Sequence, residues 1–120
     1  MSKSYPEITK RISANMKVLR KDIAATMQGF SALAAAATKG GAVDTKTKEL
    51  IALAIGVSQR CDGCIGFHVE ALVKLGVTRE ELEEVLGVAV YMGGGPSLMY
   101  AADAIMAFEQ FSQNLPETAD

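Results

Sequence analysis

Residues 49–68 read ELIALAIGVSQRCDGCIGFH, and the way this stretch folds decides the rest. It holds both cysteines, the only histidine of the chain and a carboxylate, Glu49, at the head of the apolar run 50–57. Residues 50–57 are apolar on nearly every side, which predicts a helix at the buried centre of the molecule. If the segment from about Cys61 onward is helical too, Cys61 and Cys64 stand one turn apart, within reach of a disulfide. Cys64 and His68 then form an i,i+4 pair on the same helix face. Thiol, thiol and imidazole share one stripe, the arrangement that thiol chemistry needs.

Outward from this centre the pattern stays helical, and no strand period competes with it. Upstream, Ile8, Ile12, Met16, Leu19, Ile23, Met27, Phe30, Leu33 and Ala37 recur every three or four residues. This predicts two amphipathic helices over residues 6–37, with a break at residues 20–22 and Asp22 as N-cap of the second; one long helix is the alternative. Gly40 and Gly41 end this region, and Asp44 or Thr45 suits the N-cap of the helix carrying Glu49. Downstream, the cysteine helix runs to about Leu75 with Gly76 as its stop. Thr78 and Glu81 form a capping-box pattern for a helix over residues 79–92. Gly93, Gly94 and Gly95 break the chain, and Pro96 opens a last helix to about Ser112 that buries Met99, Ile105 and Phe108. Residues 114–120 are polar and expected to fray. The fold class is all-α: a single-domain helical bundle of five to six helices over residues 1–120, without internal repeats.

Composition supports this and narrows the function. A chain of 120 residues suits one domain with a modest core. Hydrophobic residues at 49% exceed a disordered composition, while 6% aromatics and no Trp favour closely packed helices over a β-sandwich. So small a helical fold has more apolar surface than one thin layer hides, which predicts a homo-oligomer. The net charge of −2 argues against a dedicated nucleic-acid binder. Lys3, Lys10, Arg11, Lys17, Arg20 and Lys21 crowd the first 21 residues, and are expected to form a solvated helix face. The apolar run 50–57 is far too short to span a bilayer, so no membrane partner is expected. The N-terminus lacks the apolar core of a signal peptide, and Glu7 and Asp22 are foreign to a transit peptide; a cytoplasmic protein is expected. There, C-x-x-C is more often catalytic or metal-binding than a structural staple.

Three chemistries compete for the motif. At a helix N-terminus, unpaired N–H groups and the positive dipole end favour thiolate over thiol. His68 can serve Cys64 as a base or, protonated, as a stabiliser of the thiolate. Asp62, between the cysteines, opposes this with its negative charge. The bland alternative is a pair of small buried hydrophobes beside a surface histidine. Zinc is the third: Cys61, Cys64 and His68 are ligand types, but a structural site wants four ligands, and Glu49 is a poor fourth. Glu49 itself is either an exposed first-turn acid or a proton carrier folded back against the cysteine helix. The glycine triplet lacks a phosphate-loop frame. A serine triad fails because the single histidine is already beside the cysteine.

These residues resemble a known family. The string DTKTKELIALA over 44–54, CDGCIGFH over 61–68, a Gly-terminated helix, then GGGP before an alanine-rich helix are similar to the carboxymuconolactone decarboxylase superfamily. Within it, the alkylhydroperoxidase D-like proteins are the nearest branch. The likeness covers roughly residues 44–107, and its most specific part is E-x11-C-x-x-C-x-x-x-H: Glu49, Cys61, Cys64 and His68. It implies an all-α fold whose short chains associate, as hexamers built from dimers or as trimers. It further implies reduction of organic hydroperoxides, or disulfide reduction for a peroxiredoxin, through a redox-active disulfide Cys61–Cys64 with no further cofactor and no metal, a dithiol being a candidate electron donor. In that scheme Cys64 attacks, Cys61 resolves, His68 activates Cys64 and Glu49 completes a proton relay. One departure stands out: the alkylhydroperoxidase proper has a histidine just before the second cysteine, where this chain has Gly63, which shortens the relay. The chain is also shorter than that enzyme, so its lipoyl-adaptor partner is not implied. The other readings on the same fold are a cofactor-free lactone decarboxylase, which generally lacks the cysteine pair, and a non-enzymatic interaction protein.

Overall fold

The computed structural model describes residues 3–113. The helix that carries Glu49, α3 (Thr45–Ser58), begins where Asp44 accepts a hydrogen bond from the Thr47 N–H at 2.7 Å, as its local sequence predicts. It ends in a tight turn. The Cys61 N–H donates to the Gly56 carbonyl at 3.0 Å and the Arg60 N–H to the Val57 carbonyl at 3.1 Å, the paired bonds of a Schellman C-cap. Arg60 occupies the left-handed position of that motif, with φ 57°, where glycine is the usual residue. The turn feeds directly into α4 (Asp62–Lys74), and α3 and α4 pack against each other.

The rest of the chain is built by similarly local signals. α4 stops at Gly76, whose φ of 77° no helix can continue. Thr78 Oγ1 accepts from the Glu81 N–H at 3.1 Å while Glu81 Oε1 accepts from the Thr78 N–H at 2.9 Å, a full capping box that starts α5 (Arg79–Gly93). Pro96 falls in the first turn of α6 (Gly95–Gln113). At the front, Ser4 caps α1 (Tyr5–Asp22), again with a proline in the first turn, and α2 (Ala24–Thr38) follows. Helices α3 to α6 enclose the core around Leu53, Val57, Ile65, Val69, Leu72, Leu82 and Ala104, and α1 lies across α4 and α6. Among the described residues there is no strand, and no helix is long and apolar enough to cross a membrane. The segment expected to fray, 114–120, lies outside the described residues.

Three expectations are corrected. Asp22 is not the cap of α2 but the last residue of α1, and Ile23 makes the joint. The Ile23 N–H still donates to Leu19 at 2.8 Å and its carbonyl accepts from Met27 at 3.0 Å, so the helical ladder nearly bridges the bend and needs no side-chain cap there. In α6 the buried stripe is Ser97, Ala101, Ala104, Ala107 and Phe111, while Ile105 and Phe108 are only half-buried and Met99 is exposed. Small side chains let α6 approach α4 and α5 closely; of the larger ones only Phe111, near the C-terminal end of the helix, is buried. Finally, α3 is central, but only Leu50, Leu53, Gly56 and Val57 are covered; Ile51 and Ile55 face outward. The apolar positions upstream are likewise open past Met16, apart from the half-buried Met27: α2 buries no residue, and Phe30 and Leu33 are 67% and 65% exposed.

Candidate dithiol site

Cys61 is the N-cap of α4, and its sulfur accepts the Cys64 N–H at 3.1 Å. Cys64 lies in the first turn, the two Cα atoms are 5.2 Å apart, and the sulfurs are joined as a disulfide. Both residues are half-buried, and their place at the N-terminus of α4 puts the sulfurs at the positive end of the helix dipole. Two close approaches shape the place. A Cβ at Gly56 would come within 2.9 Å of Cys64 Cβ, so the bare glycine is what lets α3 lie against the dithiol. A Cβ at Gly63 would come within 2.9 Å of Ile12 Cδ1. The position where the alkylhydroperoxidase proper has its extra histidine is thus packed under α1.

One turn further along α4, His68 Nδ1 lies 2.6 Å from Oε2 of Glu49, the fifth residue of α3. The Glu49 side chain is only 12% exposed and that of His68 31%. An exposed first-turn acid therefore does not describe Glu49. With Nδ1 hydrogen-bonded to the carboxylate, a neutral imidazole presents Nε2 as its acceptor. Of the four residues singled out by the sequence, the fold thus joins Cys61 to Cys64 and Glu49 to His68. No hydrogen bond links His68 to a sulfur in this oxidised form, where neither sulfur carries a proton. Among the described residues no group of three or more His, Cys, Asp or Glu side chains is placed to hold a metal ion. An open groove of about 670 Å³ between α1 and α4, lined by residues such as Lys10, Lys17, Phe67 and Lys74, includes none of the four.

The sequence missed a second set of residues around the motif. Asp62, expected to oppose thiolate formation, accepts hydrogen bonds from Lys3 Nζ at 3.1 Å and from the Tyr5 hydroxyl at 2.8 Å. Lys3 also bonds Asp103 at 2.9 Å, so it does not belong to a purely solvated face. Tyr5 is fully buried. Nothing local marks these contacts, because the partners lie 57 and 59 residues apart in the chain.

Comparison with known proteins agrees with this architecture. The model of the Carboxymuconolactone decarboxylase family matches residues 24–107. A crystal structure of a carboxymuconolactone decarboxylase family protein from Legionella pneumophila superposes with a TM-score of 0.90 at 61% identity, covering 92% of this chain and 99% of the other. A family protein from Thermotoga maritima, suggested to be involved in antioxidative response, superposes with a TM-score of 0.74 at 32% identity over 92% of both chains. An uncharacterized protein of Cupriavidus necator is 42% identical over 85 residues, 71% of this chain and 75% of the relative.

Proposed function

The chain belongs to the carboxymuconolactone decarboxylase family, and we propose that this member is a dithiol oxidoreductase that reduces organic hydroperoxides or partner disulfides. The observation that carries the reading is the cysteine pair at the head of α4 with a bonded Glu49–His68 pair one turn away. The antioxidative role suggested for the Thermotoga maritima relative points the same way.

In the reduced protein, His68 Nε2 takes the Cys64 proton and the helix N-terminus favours the resulting thiolate. The thiolate attacks the terminal oxygen of R–O–O–H. An S–O bond forms as the O–O bond breaks, and the departing alkoxide takes the proton back from His68. Glu49 holds the ring and stabilises it while it is charged. Cys64 now carries a sulfenic acid, and Cys61 attacks its sulfur, forming the disulfide and releasing water. One hydroperoxide and two thiols give one alcohol, one water and one disulfide. Against a partner disulfide, the same thiolate forms a mixed disulfide that Cys61 resolves. A dithiol donor returns the two electrons, and a reducing compartment such as the cytoplasm suits that cycle. The working form is a homo-oligomer, a reading supported by the uncovered apolar face of α2.

The test is a thiol count before and after one equivalent of cumene hydroperoxide. Loss of both thiols with an intramolecular disulfide as product is expected. Thiols that persist beside unconsumed hydroperoxide and an unconsumed peroxiredoxin disulfide would refute the reading, and would leave the lactone decarboxylase, which spends no thiol.

A further inference from the structure

Asp62 is the charged group inside the Cys61–Cys64 loop, and it stands in the first turn of α4. An anion there competes with a thiolate for the same positive helix end. Yet its Oδ1 is engaged twice, by Lys3 Nζ and by the Tyr5 hydroxyl. Lys3 is further held by Asp103 Oδ2 and lies 5.2 Å from the centroid of the Tyr100 ring. The backbone that presents both residues is itself fastened: the Tyr5 N–H donates to Gln110 Oε1, and Gln110 Nε2 donates to the Lys3 carbonyl, each at 2.8 Å. Burial and the Asp62 hydrogen bond push the Tyr5 phenol pKa up, so its proton stays in place wherever thiol chemistry runs. The hydrogen bond to Asp103 likewise raises Lys3, despite some burial. In the rest of the motif, Glu49 and His68 bond each other, and Arg60, just before Cys61, is exposed.

Resting on the dithiol reading above, we propose that Lys3 and Tyr5 are positioning residues for the cysteine pair: by holding the Asp62 carboxylate they offset its charge at the α4 N-terminus and keep the Cys64 thiolate favoured. They touch neither sulfur and act through Asp62. The start of the chain thereby sets the reactivity of a motif that local sequence alone reads as self-opposed. Removing Lys3 would leave Asp62 and Asp103 without the cation they share. The thiolate would become less favourable, and with it the reduced form relative to the disulfide.

The test is a set of double-substitution cycles read on the thiols of the full-length protein. The rate of Cys64 alkylation by iodoacetamide is followed against pH, and the dithiol–disulfide equilibrium is measured against glutathione. The proteins are wild type, Lys3→Met, Tyr5→Phe, Asp62→Asn, and each of the first two combined with Asp62→Asn. Lys3→Met is expected to move the alkylation profile to higher pH, to slow the neutral-pH rate by about threefold to tenfold and to shift the equilibrium toward the disulfide. Tyr5→Phe, which keeps the buried ring, is expected to act in the same direction but less. Asp62→Asn moves both readouts the other way, and in its background the other two substitutions leave them nearly still. The proposal is overturned if Lys3→Met and Tyr5→Phe leave profile and equilibrium in place, or shift them as far without Asp62 as with it. Neither readout involves a hydroperoxide. A protein that shows the cycle but reduces no peroxide or partner disulfide would therefore overturn the proposed function alone.

Discussion

Cys61 and Cys64 are alike in chemistry but not in placement. Cys61 caps the helix and its sulfur accepts a backbone N–H; Cys64 lies one turn from His68, which faces Glu49. Cys64→Ser is expected to abolish the reaction with peroxide, since the nucleophile is gone. Cys61→Ser is expected to leave one turnover that stalls as sulfenic acid or overoxidises. Trapping of the sulfenic acid and mass analysis distinguish the two, and the opposite pattern would exchange the roles. Glu49→Gln is a finer test, because the amide keeps the shape and can still hydrogen-bond Nδ1. A group that stabilises charge on His68 cannot be replaced this way, and the chemical step is expected to slow by about 10²–10⁴-fold with little change in the melt. Unchanged rates with a lowered melting temperature would make Glu49 structural. The sequence left Glu49 between two roles for a plain reason: nothing in its spacing says that the N-terminal part of α3 meets the second turn of α4.

Helix ends are where this chain is most legible. The Asp44 cap, the Thr78–Glu81 box and the Gly76 stop are each made by residues within four positions of one another, so their physics is contained in the local string. The i,i+4 stripe of Cys64 and His68 is legible on the same ground. The exposed Met99, the bend at Ile23 and the Lys3–Asp62 contact are not, because helix packing chooses them. Thr78→Ala, which removes half of the capping box, is expected to cost about 1 kcal/mol in a denaturant titration. Caps also give the fold its acid limb. Hydrogen bonding from Thr47 holds the Asp44 carboxyl below the usual range, and the hydrogen bond from Lys46, 2.8 Å away, does the same for Glu81. A carboxylate with a depressed folded pKa stabilises the fold above its unfolded value, and that contribution is lost as pH falls through the folded one. The melting temperature is therefore expected to drop as pH falls below about 4. Asp44→Asn keeps a good cap but does not titrate, and should flatten the drop; an unaltered acid limb in that variant would remove Asp44 from its causes.

At the scale of the molecule, α2 is the anomaly. Its fifteen residues, AATMQGFSALAAAAT, include no charged side chain and none that the single chain buries. Ile51, Ile55, Val88, Tyr91 and Met92 leave further apolar surface open on α3 and α5. Contact between copies is the expected cover. Light scattering should show an oligomer at micromolar concentration, and a Phe30→Asp, Leu33→Asp double variant should shift it to smaller species with the helical signal kept. A stable, fully folded monomer of the unaltered protein would count against this. The order of synthesis gives α2 a further consequence. It leaves the ribosome ahead of every helix of the core, and completing the core still does not cover it. On that expectation, a nascent or refolding chain carries an uncharged, sticky helix until another chain covers it. The last phase of refolding should be second order, faster at higher protein concentration, and dilute chains should need a chaperone to reach it.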